Sequence, residues 1–106
     1  MLVLCNAPAV DATRIARAVV TQRLAACVSI TAGVTSIYRW EGAIQEEQES
    51  TLLFKTRASL VGALTSLLVE LHPFDVPEVV VVPLEPGAGN AAYLAWVLAE
   101  TQGTSS

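Results

Sequence analysis

Three side chains in this sequence can do soft-metal chemistry: Cys5, Cys27 and His72. Thiolate and imidazole are the ligands that copper and zinc select, while carboxylates suit harder cations. Asp75 and Glu78 follow His72 closely in His72-Pro73-Phe74-Asp75-Val76-Pro77-Glu78, so thiol, imidazole and carboxylate are all to hand. Stable copper or zinc centres use three or four ligands. Cys5 and His72 therefore need Asp75, Glu78, water or a group from a second subunit. Each thiol also has a plainer reading as a small buried hydrophobe, and His72 as a helix-terminal residue favoured by the helix dipole. For catalysis the sequence offers little: one His, no His-Glu-x-x-His, no P-loop and no nucleophile elbow. Gly87-Ala88-Gly89 lacks the full pattern of a phosphate loop and reads as a turn, with Asn90 capping the helix after it. The expectation is a binding protein, not an enzyme.

The elements that must position these groups are organised around a long β-hairpin, Ala26 to Arg57, turning at Glu41-Gly42-Ala43. β-Branched and aromatic residues crowd its first arm, and Gly42 supplies the turn. Each arm has fifteen residues, or about 50 Å at strand rise. A compact domain of this length is only about 33 Å wide. The hairpin is thus expected both to bend at Ala32-Gly33 and to reach another chain with its tip.

Leu2 to Ala7 reads as a short strand ended by Pro8. Asp11 is a plausible N-cap for a helix running to about Leu24, with Ala12, Ile15, Ala16, Val19, Val20 and Leu24 on its apolar stripe. Ser59 can cap a second helix carrying Leu60, Ala63, Leu64, Leu67, Leu68 and Leu71, which Pro73 stops. Val76 to Leu84 reads as a strand whose Val79–Val82 run needs cover on both faces. A last helix spans roughly Ala91 to Glu100. The order is that of an α+β, ferredoxin-like split β-α-β-β-α-β fold with an additional C-terminal helix. Residues 1–102 form a single domain and 103–106 a polar tail. The usual strand order of this plan, 4-1-3-2, sets Cys5 beside the start of strand four, just after His72. Cys27 then lies two strands away, about 9.5 Å, beyond disulfide reach.

Hydrophobic residues make up 53% of the 106, charged residues 15%, and mean hydropathy is +0.52. That is a surplus of apolar surface for a small monomer, and its natural cover is other subunits in a closed symmetric assembly. No apolar run approaches the roughly 20 residues of a membrane span. A net charge of −4, with six scattered basic residues, argues against nucleic-acid binding. Glu41, Glu46, Glu47 and Glu49 surround the hairpin tip and read as a solvated turn that discourages edge pairing. Tyr38, Trp40 and Trp96 read as interface anchors or as walls of a cleft between subunits. The N-terminal residues have no basic or long apolar segment of a signal peptide. The cytoplasm is the expected compartment, where thiols stay reduced.

Taken together, RLAACVSITAGVTSIYRWEG (Arg23 to Gly42), LCNAP (Leu4 to Pro8), Lys55-Thr56, HPFDVPE (His72 to Glu78) and YLAW (Tyr93 to Trp96) resemble the CutA divalent-cation tolerance family over nearly the whole chain. The resemblance implies a ferredoxin-like fold, a tight homotrimer, a link to metal-ion tolerance and copper binding, with LCNAP and HPFDVPE matching the segments that carry the family's Cys and His. It also implies kinship in architecture with the trimeric PII signalling proteins, which bind ligands in clefts between subunits. On that reading Cys5, His72, Asp75 and Glu78 contribute to a site for Cu(II) or another divalent cation. Two rival readings are a PII-like regulator holding a small metabolite in the cleft between subunits near Lys55, Glu78 and the aromatics, and a structural trimer that recruits a protein partner.

Overall fold

The hairpin arms are β2 (Cys27–Trp40) and β3 (Ala43–Lys55), and β3 carries the rest of the sheet on its other edge. A computed structural model describes residues 1–101; the expected tail at 103–106 lies outside the described residues. β1 (Leu2–Ala7) pairs antiparallel with β3 and with β4 (Val80–Val82), giving the order β2-β3-β1-β4. Helices α1 (Ala9–Thr21) and α2 (Val61–Leu71) cross between strands, and α3 (Ala91–Glu100) follows β4. This is the expected ferredoxin-like order with its extra helix.

Strand alternation decides which residues meet the helices. Val3, Cys5, Ala7, Leu52 and Phe54 face them and join Ile15, Val19, Leu64 and Leu68 in a closed core. Residues one step out of phase lie on the opposite face: Leu2, Leu4 and Leu53, with Val80 and Val82 beside them in register. In β4, Val80, Val81 and Val82 remain 49%, 38% and 40% exposed, so a single chain does not cover the faces of this apolar run. The strand is also shorter than the expected Val76–Leu84. The prolines at 77 and 83 bracket it, and neither can donate to a ladder.

The hairpin turns through Glu41 and Gly42 with φ of 50° and 80°, between the paired Trp40 and Ala43. Positive φ at both central residues matches the right-handed twist of the arms. The expected bend is a bulge: register shifts between Thr31 and Val34, with Gly33 at φ 71°. The molecule extends 44 × 31 × 21 Å.

Two expected caps are corrected. Pro8, not Asp11, occupies the N-cap of α1, and no side chain caps it. Asp11 instead sits in the first turn and pairs with Arg14 at 2.7 Å. Ser59 does not cap α2; it lies within a 3-10 turn, Ala58–Leu60, that leads into the helix. Helix α1 also stops earlier than Leu24. The Arg23 N–H donates to the Val20 carbonyl at 3.0 Å and the Leu24 N–H to the Val19 carbonyl at 3.1 Å, with Arg23 at φ 60°. This is a Schellman ending, and it turns Leu24 into the core. Val20, expected on the buried stripe, is 40% exposed.

Candidate metal and ligand cleft

Cys5 and His72 do come together, and they meet at one backbone atom. His72 follows the last residue of α2 in extended conformation and is buried. Arg14 of α1 donates to the Leu71 carbonyl at 3.2 Å and so ties that helix end to α1. The Phe74 N–H donates to His72 Nδ1 at 3.1 Å, which leaves the proton on Nε2; Nε2 donates to the Asn6 carbonyl at 2.7 Å. The Cys5 thiol also donates to the Asn6 carbonyl, at 3.7 Å. Both ring nitrogens of His72 are therefore engaged, and a metal at either must displace a backbone bond.

Cys5 is fully buried on the helix side of the sheet. Burial, then the negative charges of Glu78 and Glu49, push its thiol up to about 11. A thiol held that high is a poor ligand until a cation compensates it, because metal binding requires its proton to leave.

Asn6, one residue along β1, faces the other side. Its side chain accepts from Thr51 Oγ1 at 2.7 Å and reaches Ser36 Oγ at 3.5 Å. It marks the floor of an open cleft of about 840 Å³, lined by the hairpin and by the segment after His72. Glu47, Glu49, Asp75 and Glu78 bring carboxylates to this cleft; Tyr38 and Trp40 bring aromatic rings. Glu49 is only 8% exposed. Desolvation, then repulsion from Glu47 and Glu78, raise its pKa; its bond to Asn6 and the neighbouring His72 act the other way. Tyr38 donates to Glu47 at 2.8 Å, and that bond is the main cause of its own raised pKa.

Asp75 and Glu78 are exposed at this cleft, while Cys5 and His72 lie behind Asn6. Among the described residues, no three or more His, Cys, Asp and Glu side chains stand close enough to hold a metal ion. The sequence reading missed Asn6 and treated Glu47 and Glu49 as solvated tip charges. The two-residue spacing of Gln45, Glu47 and Glu49 along β3 was the available signal, since it puts all three on one face. Lys55 does not join Glu78 within one chain: it lies at the opposite end of the sheet, in a second cleft between α3 and the loop at 84–89. Trp96 stacks at a tilt on Tyr93, 5.6 Å between centroids, and not with Tyr38 and Trp40. Both cysteines are free.

The β-α-β-β-α-β element order with strands arranged β2-β3-β1-β4 defines an α+β protein of ferredoxin-like fold. The "PII-like protein CutA" of Nostoc in apo form superposes at a TM-score of 0.91 with 36% identity, covering 95% of this chain and 96% of that one. The profile of the CutA1 divalent ion tolerance proteins matches residues 1–100. The chain belongs to that family. The divalent-cation tolerance protein CutA of Thermus thermophilus is 45% identical over 101 residues, covering 94% of this chain and 96% of the relative. Protein CutA of mouse is 47% identical over 95 residues. The chain spans about half of the mouse relative's length, 52%, and 90% of its own. Among the described residues no helix is long and apolar enough to cross a membrane.

Proposed function

We propose that this protein binds divalent cations, copper among them, in the acidic cleft and acts in metal-ion tolerance as a homotrimer. The observation that carries the reading is the convergence of Glu47, Glu49, Asp75 and Glu78 on one cleft, with Glu49 nearly buried there; a bound cation would offset the carboxylate charge gathered at that place. Asp75 and Glu78 stand at the mouth as hard ligands. His72 and Cys5 follow as softer ligands once the Asn6 carbonyl releases them, with water or a neighbouring subunit completing the set. The family name supports the divalent ion; the thiol and imidazole favour copper. The reading is of a binder, not a catalyst, since His72 has both ring nitrogens occupied and so serves poorly as a general base.

Trimerisation is supported by the apolar face of Leu2, Leu4, Leu53, Val80 and Val82, and by Ile37 and Trp40 on the hairpin, 66% and 50% exposed. Sedimentation at micromolar concentration should show only the trimer, and Ile37→Asp or Trp40→Asp should weaken it. A folded monomer overturns this part.

The metal reading is tested by copper titration of wild type, Cys5→Ser, His72→Ala, Glu78→Gln and Cys27→Ser as folded assemblies. The first three variants should bind more weakly and Cys27→Ser should not; equal affinity throughout overturns it. A second reading, a small metabolite in the same cleft, is favoured by the cleft's size and the exposed Trp40 ring. A metabolite screen by thermal shift separates the two, since only a ligand of the folded state raises its melting point.

A further inference from the structure

The second thiol lies on the other face of the sheet, in different company. Cys27 opens β2, an edge strand, directly opposite Lys55 on β3. Directly paired residues have α-carbons about 4.5–5.5 Å apart and share a face, so the meeting of these two side chains is set by backbone register. Lys55 Nζ donates to Cys27 Sγ at 3.7 Å and also to Ser29 Oγ. Tyr93 of α3 closes the group: desolvation, then the adjacent Cys27 sulfur, raise its pKa. Helix α3 is held over this end by two clamps. Arg57 Nε donates to Thr101 Oγ1 at 3.1 Å and its NH2 to the Leu98 carbonyl, while Arg23 pairs with Glu100 at 2.8 Å. Within a single chain Cys27 is half-buried, whereas Cys5 is sealed in the core.

A cysteine oxidised to sulfenic acid condenses with a backbone nitrogen held against it to form a sulfenamide, and a deprotonated lysine amine presents a stronger nucleophilic lone pair for the same step. We infer that Cys27 and Lys55 form a redox-responsive pair, which peroxide converts into a reversible sulfur–nitrogen link between the two strands. In the first step the Cys27 sulfur attacks peroxide. The O–O bond breaks, an S–O bond forms, the sulfur loses two electrons and water departs. In the second step Lys55 gives one proton to solvent and its nitrogen attacks the sulfur. An S–N bond forms, the S–O bond breaks, and the hydroxyl leaves as water with another lysine proton. The product lacks the Lys55 charge, and a thiol reductant restores both side chains. The flexible lysine stem spans the remaining distance without moving the strands.

The test treats the intact assembled protein with hydrogen peroxide, caps free thiols with iodoacetamide and maps peptides by mass. The expected wild-type result is a linked pair carrying Cys27 and Lys55, lighter by two hydrogens than the separate peptides. Trypsin cleavage after Lys55 should be lost with it, and dithiothreitol should restore both. Cys5 should stay unoxidised. Cys27→Ser should abolish the link. Lys55→Arg should leave Cys27 as a sulfenic acid that dimedone traps, then as higher acids. Oxidation of wild-type Cys27 straight to sulfinic acid without a link overturns the inference. So does a Cys27 that stays reduced in the folded protein while the unfolded chain reacts.

Discussion

The two cysteines lie on opposite faces of one sheet, level with Leu52 and Lys55 of β3. Cys5 pairs with Leu52 and points into the core, where burial and then Glu78 and Glu49 hold its proton on. Cys27 pairs with Lys55 on the other face and meets an ammonium group. Residue type is the same; the sign of the neighbouring charge and, within a single chain, the degree of burial are not. At the acidic end, which we propose draws cations, the Cys5 thiol is tied to the Asn6 carbonyl. At the basic end the Cys27 thiol is half-buried in a single chain and accepts from Lys55. Strand periodicity produced the contrast, because an odd or even place in β1 or β2 assigns a side chain to core or open face.

The largest expected difference is in reactivity. At neutral pH iodoacetamide should alkylate Cys27 about 100-fold faster than Cys5, whose reaction waits on opening of the core. Peptide-resolved labelling rates measure the ratio, and equal rates would remove the contrast. The contrast for Cys5 also has an alkaline edge. Its folded pKa lies above the unfolded one, so its stabilising contribution is complete below the ordinary thiol range and is lost as pH rises through about 11. Melting curves of Cys5→Ala across that range should lack this part of the alkaline decline.

Next comes His72. Replacing it with Ala removes the bonds to the Asn6 carbonyl and the Phe74 N–H and leaves the buried carbonyl with only a weak thiol partner. The expected cost is about 2–4 kcal/mol, read by urea unfolding of the assembled protein. A cost near zero would mean that His72 is free to ligate without structural penalty.

At the basic end, Arg57→Ala should cost about 1 kcal/mol, since it removes a cation and its hydrogen bonds from the C-terminus of α3. Hydrogen exchange should show the loss in α3 and not in α1. Uniform loosening would mean that α3 is not a separately docked element.

The smallest effect sharpens the acidic end. Glu49 has a raised folded pKa, so its contribution to stability is fully present below the unfolded value and lost as pH climbs through the folded one. Glu49→Gln should therefore raise the melting temperature at neutral pH by about 2 °C and lose that advantage in acid. A saturating divalent cation should narrow the gap by stabilising wild type more than the variant. A variant that melts lower at neutral pH would show that Glu49 is held by bonds and not strained by its neighbours.

Much of this protein could be read before any coordinates. The arms around Gly42, the bend at Gly33, the Asn90 cap and the strand order follow from local rules: a positive φ, a short polar acceptor before a helix, a fixed connection pattern. The nearness of Cys5 and His72 followed from strand order alone. What the linear chain withheld was direction. Asp11 looked like a cap because its type suits one, yet Pro8 took the position and left Asp11 to Arg14. His72 looked like an open ligand, and only tertiary packing brought the Phe74 amide and the Asn6 carbonyl onto its two nitrogens. Within one chain Lys55 meets Cys27 because register on β3 sets it opposite the first residue of β2. Sequence determines which groups exist and the phase in which each strand presents them. Register and packing decide which atoms are already spoken for, because a hydrogen bond depends on angles and tenths of an ångström that residue types do not encode.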